Sequence, residues 1–223
     1  MATSSLSPIH CDSQEIKEAL KFSQGPLEFS VFKSSIDGFS SCDTIQHAGI
    51  LIRVGDHYWT RDFGSAIKAN SKPQRLMDAF MNAHLIGQTS TSIVDAELVK
   101  PGAKHFKVLG VLGKYPLNGT KQFMMAKEKL KQVLKVVGKD YIIATYNCHH
   151  FALEIAKLFE TQSANKAIEK LTKDTDEHKN LLQKARKVVA LVSRCPSWGS
   201  CSSSNICGYK VADVIECSQR DVV

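Results

Sequence analysis

Residues 46–63 read as a β-hairpin, and a hairpin commits this chain to an antiparallel sheet. Gln46–Val54 is an apolar run, His57–Phe63 mixes apolar and polar residues, and Gly55-Asp56 between them supplies a two-residue turn with glycine first. With those two residues at the centre, Val54 pairs with His57, Leu51 faces Thr60 and Gly49 faces Asp62. Side chains alternate along a strand, so His47, Gly49, Leu51, Thr60 and Asp62 share one face and His57 points to the other. A change of one residue in the turn would reverse that assignment.

The flanking segments fill in an α+β plan. Ser13–Phe22 has helical spacing, and Gly25-Pro26 breaks the chain before a strand at Leu27–Lys33. Ser34–Ser41 reads as a loop, Gln74–His84 as a helix, Thr89–Ser92 as a loop and Asp95–Leu98 as a short strand. Pro101-Gly102 precedes another strand at His105–Leu112. In Lys121–Val137, Phe123, Ala126, Leu130, Val133, Leu134 and Val137 fall at helical spacing, and Gly138 is the expected stop. Ala164–Thr172 and Asp176–Val192 read as two further helices. Strands followed by helices make the expected fold α+β, a small antiparallel sheet packed on helices. The expected divisions are an N-terminal segment 1–26, a catalytic domain 27–160, a helical extension 161–194 and a Cys/Ser-rich tail 195–223.

The chemistry centres on Tyr146-Asn147-Cys148-His149-His150-Phe151. Leu153, Ile155, Ala156 and Phe159 follow at the spacing of one broad helix face. Cys148 then falls in the first turn, where unpaired N–H groups and the positive end of the helix dipole favour a thiolate. Asn147 precedes it as an N-cap. A nucleophilic cysteine needs a base and a group that orients the base. Of the eight histidines, His47 heads an apolar strand beside Ala48 and Gly49, whose small side chains leave room for another element. On the hairpin register, Asp62 is the orienting carboxylate, with Thr60 next. His149 and His150 point about 100° apart on a helix, which argues against one shared metal ion.

These residues carry a resemblance. His47 in His-Ala-Gly-Ile-Leu-Ile, then a hairpin, then an amphipathic helix, then Asn147-Cys148-x-His150-Phe151 opening another helix, resembles the circularly permuted papain-like group over about residues 27–160. Two branches are similar. The lecithin:retinol acyltransferase-like proteins carry a strand histidine and an Asn-Cys-x-His-Phe box. The PPPDE isopeptidases, which remove ubiquitin or SUMO, carry an Asn-Cys-Asn-x-Phe box, and Asp62-Phe63-Gly64-Ser65 resembles their aromatic-Gly-Ser segment. The acyltransferase branch usually has a second histidine on the following strand, where this chain offers only His57, and the isopeptidase branch usually has Asn where His149 stands. The resemblance implies a cysteine-dependent hydrolase acting on an amide, isopeptide or acyl ester, with Cys148 as nucleophile and His47 as base. Its alternatives are a lipid acyltransferase or phospholipase and a non-catalytic interaction protein on the same fold. The implied partners are a protein conjugate or a lipid or acyl substrate.

Composition sets the surroundings. Of 223 residues, 43% are hydrophobic and 23% charged, ordinary for a globular protein. No run of about 18 apolar residues is present, so no membrane-spanning helix is expected. An odd count of seven cysteines and no basic-then-apolar leader point to reduced thiols and a cytoplasmic setting. Cys195, Cys201, Cys207 and Cys217 are separated by five, five and nine residues, wider than the two to four or so of zinc pairs. No cofactor and no metal are expected. The +7 charge sits largely on helices such as Lys127-Glu128-Lys129-Leu130-Lys131. Those helices read as solvated faces that could also meet an anionic membrane, and nucleic acid is not favoured.

Overall fold

A computed structural model describes residues 13–35, 46–65, 87–100, 103, 106–142, 145–192, 205, 206, 209 and 210. Five strands, β1 (Leu27–Ser35), β2 (Gln46–Val54), β3 (His57–Ser65), β4 (Gly87–Val94) and β5 (Phe106–Tyr115), form one open sheet in the order β4-β3-β2-β1-β5. Every pairing is antiparallel. Four α-helices among the described residues complete the α+β fold: α1 (Ser13–Phe22), α2 (Thr120–Lys135), α3 (Cys148–Ala156) and α4 (Gln162–Val192). None of them is long and apolar enough to cross a membrane.

The hairpin has the expected register. Val54 pairs with His57, Leu51 with Thr60 and Gly49 with Asp62, and Gly55 takes a positive φ of 60° in the turn. Ala48, Ile50, Ile52, Trp59 and Phe63 therefore share the face that the helices cover, and all are buried. Ile16 and Leu20 of α1, Ala126, Leu130 and Val133 of α2, Phe151 and Ile155 of α3, and Ala164, Ala167 and Leu171 of α4 join them in one core. Such apolar burial is the main favourable term in folding.

Several expectations are corrected. Thr89–Ser92 is the middle of β4, not a loop. Threonine suits a pleated strand, and three of its hydroxyls have fixed partners. Thr89 accepts the Gly138 N–H, Ser90 donates to Asp62, and Thr91 accepts from Arg61. Asp95–Leu98 is not a strand: Asp95 caps a single 3₁₀ turn, Ala96–Val99, by accepting the Glu97 N–H. The two C-terminal helices are one. Lys173-Asp174-Thr175 contains no breaker, and the Thr172 and Thr175 hydroxyls donate to the carbonyls of Ile168 and Leu171 four residues back. Gly138 does not stop α2, which ends at Lys135 with Val136 as C-cap. The Arg61 guanidinium caps that end, donating to the carbonyls of Leu134 and Val136. Gly138 is instead a site of close approach, since a Cβ there would lie 2.2 Å from the Phe63 ring. The helix expected at Gln74–His84 and the tail cysteines Cys195, Cys201, Cys207 and Cys217 lie outside the described residues.

Candidate active site

The site forms where the sheet divides. The β2–β3 ladder ends at Gly49–Asp62, while β3 stays paired with β4 as far as Ser65–Gly87. Beyond Gly49, the β2 backbone at His47 and Ala48 has no β3 partner, and the N-terminus of α3 meets it there. Asn147 makes that encounter possible. Its extended backbone and side-chain oxygen start the helix, with Oδ1 accepting the His149 N–H at 3.0 Å and the His150 N–H at 3.4 Å. The His150 ring adds a third contact, its Nδ1 lying 3.0 Å from the same oxygen. Cys148 is the first residue of α3 and is buried.

The Cys148 sulfur is set beside the His47 imidazole, the Ala48 backbone N–H and the Tyr141 hydroxyl. Burial opposes a charged sulfur there. The His47 cation and the two other donors outweigh burial, and the thiol pKa falls below its ordinary value. The reciprocal effect acts on His47. Burial disfavours the imidazolium, but the Cys148 thiolate and then the Asp62 carboxylate raise its pKa from 6.5 to about 10. Both shifts favour a thiolate beside an imidazolium. Burial, and then the neighbouring thiolate, push the Tyr141 hydroxyl well above its ordinary pKa, which keeps it a donor.

Asp62 orients the imidazole from its other side, with Oδ2 3.8 Å from His47 Nε2. At that separation the contact is an ion pair. Asp62 is itself held: Ser90 Oγ donates to Oδ1 at 2.5 Å, and the Thr60 hydroxyl lies near its carboxylate. Burial would raise the Asp62 pKa, but His47, Ser90 and Thr60 together hold it below the usual value. Gly49 lets the wall close over this group, since a Cβ there would come 2.7 Å from the Phe32 ring. On the helix side, Phe63 packs its ring against those of Tyr141, Tyr146 and Phe151 and so ties Tyr141 to α3.

All five residues expected from the sequence, Cys148, His47, Asp62, Thr60 and Asn147, thus meet in one place. Two further side chains were not anticipated. Ser90 was readable in principle, because once Thr89–Ser92 is taken as a strand beside β3, Ser90 falls opposite Asp62. Tyr141 lies in an irregular stretch with no periodicity to place it. Among the described residues, no cluster of side chains suited to a metal ion is present.

Compared with protein-family models, with curated proteins and with solved structures, the chain gives no significant match.

Proposed function

We propose that the chain is a cysteine-dependent hydrolase of the circularly permuted papain-like kind, acting on an amide, isopeptide or acyl ester. The observation that carries the reading is the buried Cys148 sulfur at a helix N-terminus, beside His47, whose ring faces Asp62. The Cys148 thiolate attacks the substrate carbonyl. The Cys148 N–H, at the start of the helix, donates to the oxygen that gains charge. The His47 imidazolium gives its proton to the departing amine or alcohol as the carbon–nitrogen or carbon–oxygen bond breaks, leaving a thioester on Cys148. Neutral His47 then takes a proton from water, the hydroxide attacks the thioester, and the acid leaves as the thiolate and imidazolium reform. Asp62 steadies the imidazolium throughout.

A second reading, transfer of a lipid acyl group, is favoured by one observation. Met124 and Met125 stand exposed among lysines on α2. In that case an amine or alcohol takes the place of water at the thioester.

The first test is the rate of Cys148 alkylation against pH, followed by mass spectrometry in wild type and in His47→Ala. The expected midpoint lies below the free-thiol value of ~8.5 and rises on removal of His47. A midpoint near ~8.5 in wild type, unmoved by the substitution, would overturn the reading. A thioester trapped on wild type but not on Cys148→Ala, with a peptide amide or a phospholipid as donor, then separates the two substrate classes.

A further inference from the structure

We propose that the outer face of α2 docks on an anionic lipid bilayer. The helix buries Ala126, Leu130 and Val133. At about 100° per residue, the opposite side carries Lys121, Met124, Glu128, Lys131 and Lys135, a net positive face, with Met125 on its flank. Met124 and Met125 are 56% and 55% exposed, and Val137, just past the helix end, is 66% exposed. Single exposed apolar side chains are ordinary on protein surfaces. Two adjacent methionines held in water by a rigid helix, with a valine at its end, are a concentrated apolar feature.

Most of the lysines around them lack internal partners. Among the described residues, Lys121, Lys127 and Lys135 make no ion pair, and Lys131 reaches only Glu128, at 3.6 Å. Lys129 marks the contrast. It turns inward, donates to the Leu158 carbonyl at 2.9 Å and lies over the Phe159 ring. The outward lysines form a cationic rim around flexible, polarisable apolar side chains. That combination suits an interface in which methionines enter between lipid headgroups while lysine stems extend to the phosphates. A polynucleotide or an acidic protein segment would satisfy the lysines and leave the methionines without a role, so a bilayer is the occupant that uses both.

The surface includes none of the site residues Cys148, His47, Asp62, Ser90 or Tyr141, and it stands apart from the proposed chemistry. Cys148→Ala is expected to bind vesicles as wild type does. The test is co-sedimentation of the full chain with phosphatidylcholine vesicles, with and without phosphatidylserine, over a range of salt concentration. Binding is expected only with phosphatidylserine, weakening as salt rises. Lys131→Gln with Lys135→Gln should weaken partitioning roughly 25-fold, about fivefold per lysine. Met124→Gln with Met125→Gln should weaken vesicle binding while leaving retention on heparin unchanged. Failure of wild type to bind phosphatidylserine vesicles would overturn the proposal. So would vesicle binding that is indifferent to the methionine pair, which would mark the lysines as a site for a soluble polyanion.

Discussion

Tyr141 and Asp62 act on the reactive pair from opposite ends, and each has its own observable. Tyr141→Phe removes a donor from the thiolate. A hydrogen bond to a charged group contributes about 1.5–3 kcal/mol, so the Cys148 alkylation midpoint should rise by about one to two pH units. An unchanged profile would take Tyr141 out of the site. Asp62→Asn removes the carboxylate that supports the imidazolium, and the His47 pKa should fall from its present value of about 10. NMR titration of the ring measures it, and a value that does not move would mean that Asp62 is only a neighbour. The two residues also differ in how far the sequence reveals them. Asp62 follows from strand alternation and the two-residue turn at Gly55-Asp56, and Cys148 and Asn147 follow from local rules for helix starts. Tyr141 stands in an irregular connection, where no periodic rule says which way a side chain points.

At the scale of elements, two contacts hold the walls of the site together. Arg61, buried in β3, donates to Thr91 of β4 and to two carbonyls at the end of α2. Arg61→Met leaves the partly buried Leu134 and Val136 carbonyls without that donor and should cost about 1–3 kcal/mol of stability in urea denaturation. Arg61→Lys should rescue little of it, because an ammonium cannot reproduce the planar fork. A loss under about 0.5 kcal/mol would mean that these hydrogen bonds contribute little to stability. Gly138→Ala forces a methyl into the Phe63 ring and should cost about 1–3 kcal/mol. Because Phe63 also packs against Tyr141, the same variant should slow Cys148 alkylation near neutral pH. These couplings explain where sequence reading stops. β1, β2, β3, α1 and α3 follow from period and punctuation. β4 does not, because its hydroxyls take their meaning from Asp62, Arg61 and Gly138, all distant in the chain. Gly138 resembles a helix stop in sequence, yet its role is set by a ring on β3.

Across the whole molecule, the thiolate–imidazolium pair gives stability a defined dependence on pH. The folded His47 pKa is raised above 6.5, so its contribution is complete below 6.5 and is lost as pH rises through about 10. The folded Cys148 pKa lies below 9.0, so its contribution is complete above 9.0 and is lost as pH falls through the lowered value. Above both 6.5 and the lowered Cys148 value, and up to 9.0, the folded pair and the unfolded pair each hold one proton, and the two slopes cancel. The stability difference between wild type and Cys148→Ala should therefore be flat across that interval and shrink on both sides. Denaturant midpoints measured over pH 5 to 10.5 or so would show it, and a steady slope through the interval would mean that the pair rests neutral. The division of the sheet has a last consequence. Its parts come from β2, from β3 with β4, and from the chain around Tyr141 and Cys148, so the sulfur meets its donors only after most of the core has assembled. On the proposed reading, Cys148 is an unremarkable thiol in the emerging polypeptide and becomes a reagent only once the fold around it closes. Its reactivity would then be a built-in gauge of completed folding, and the unfinished protein would be spared its own chemistry.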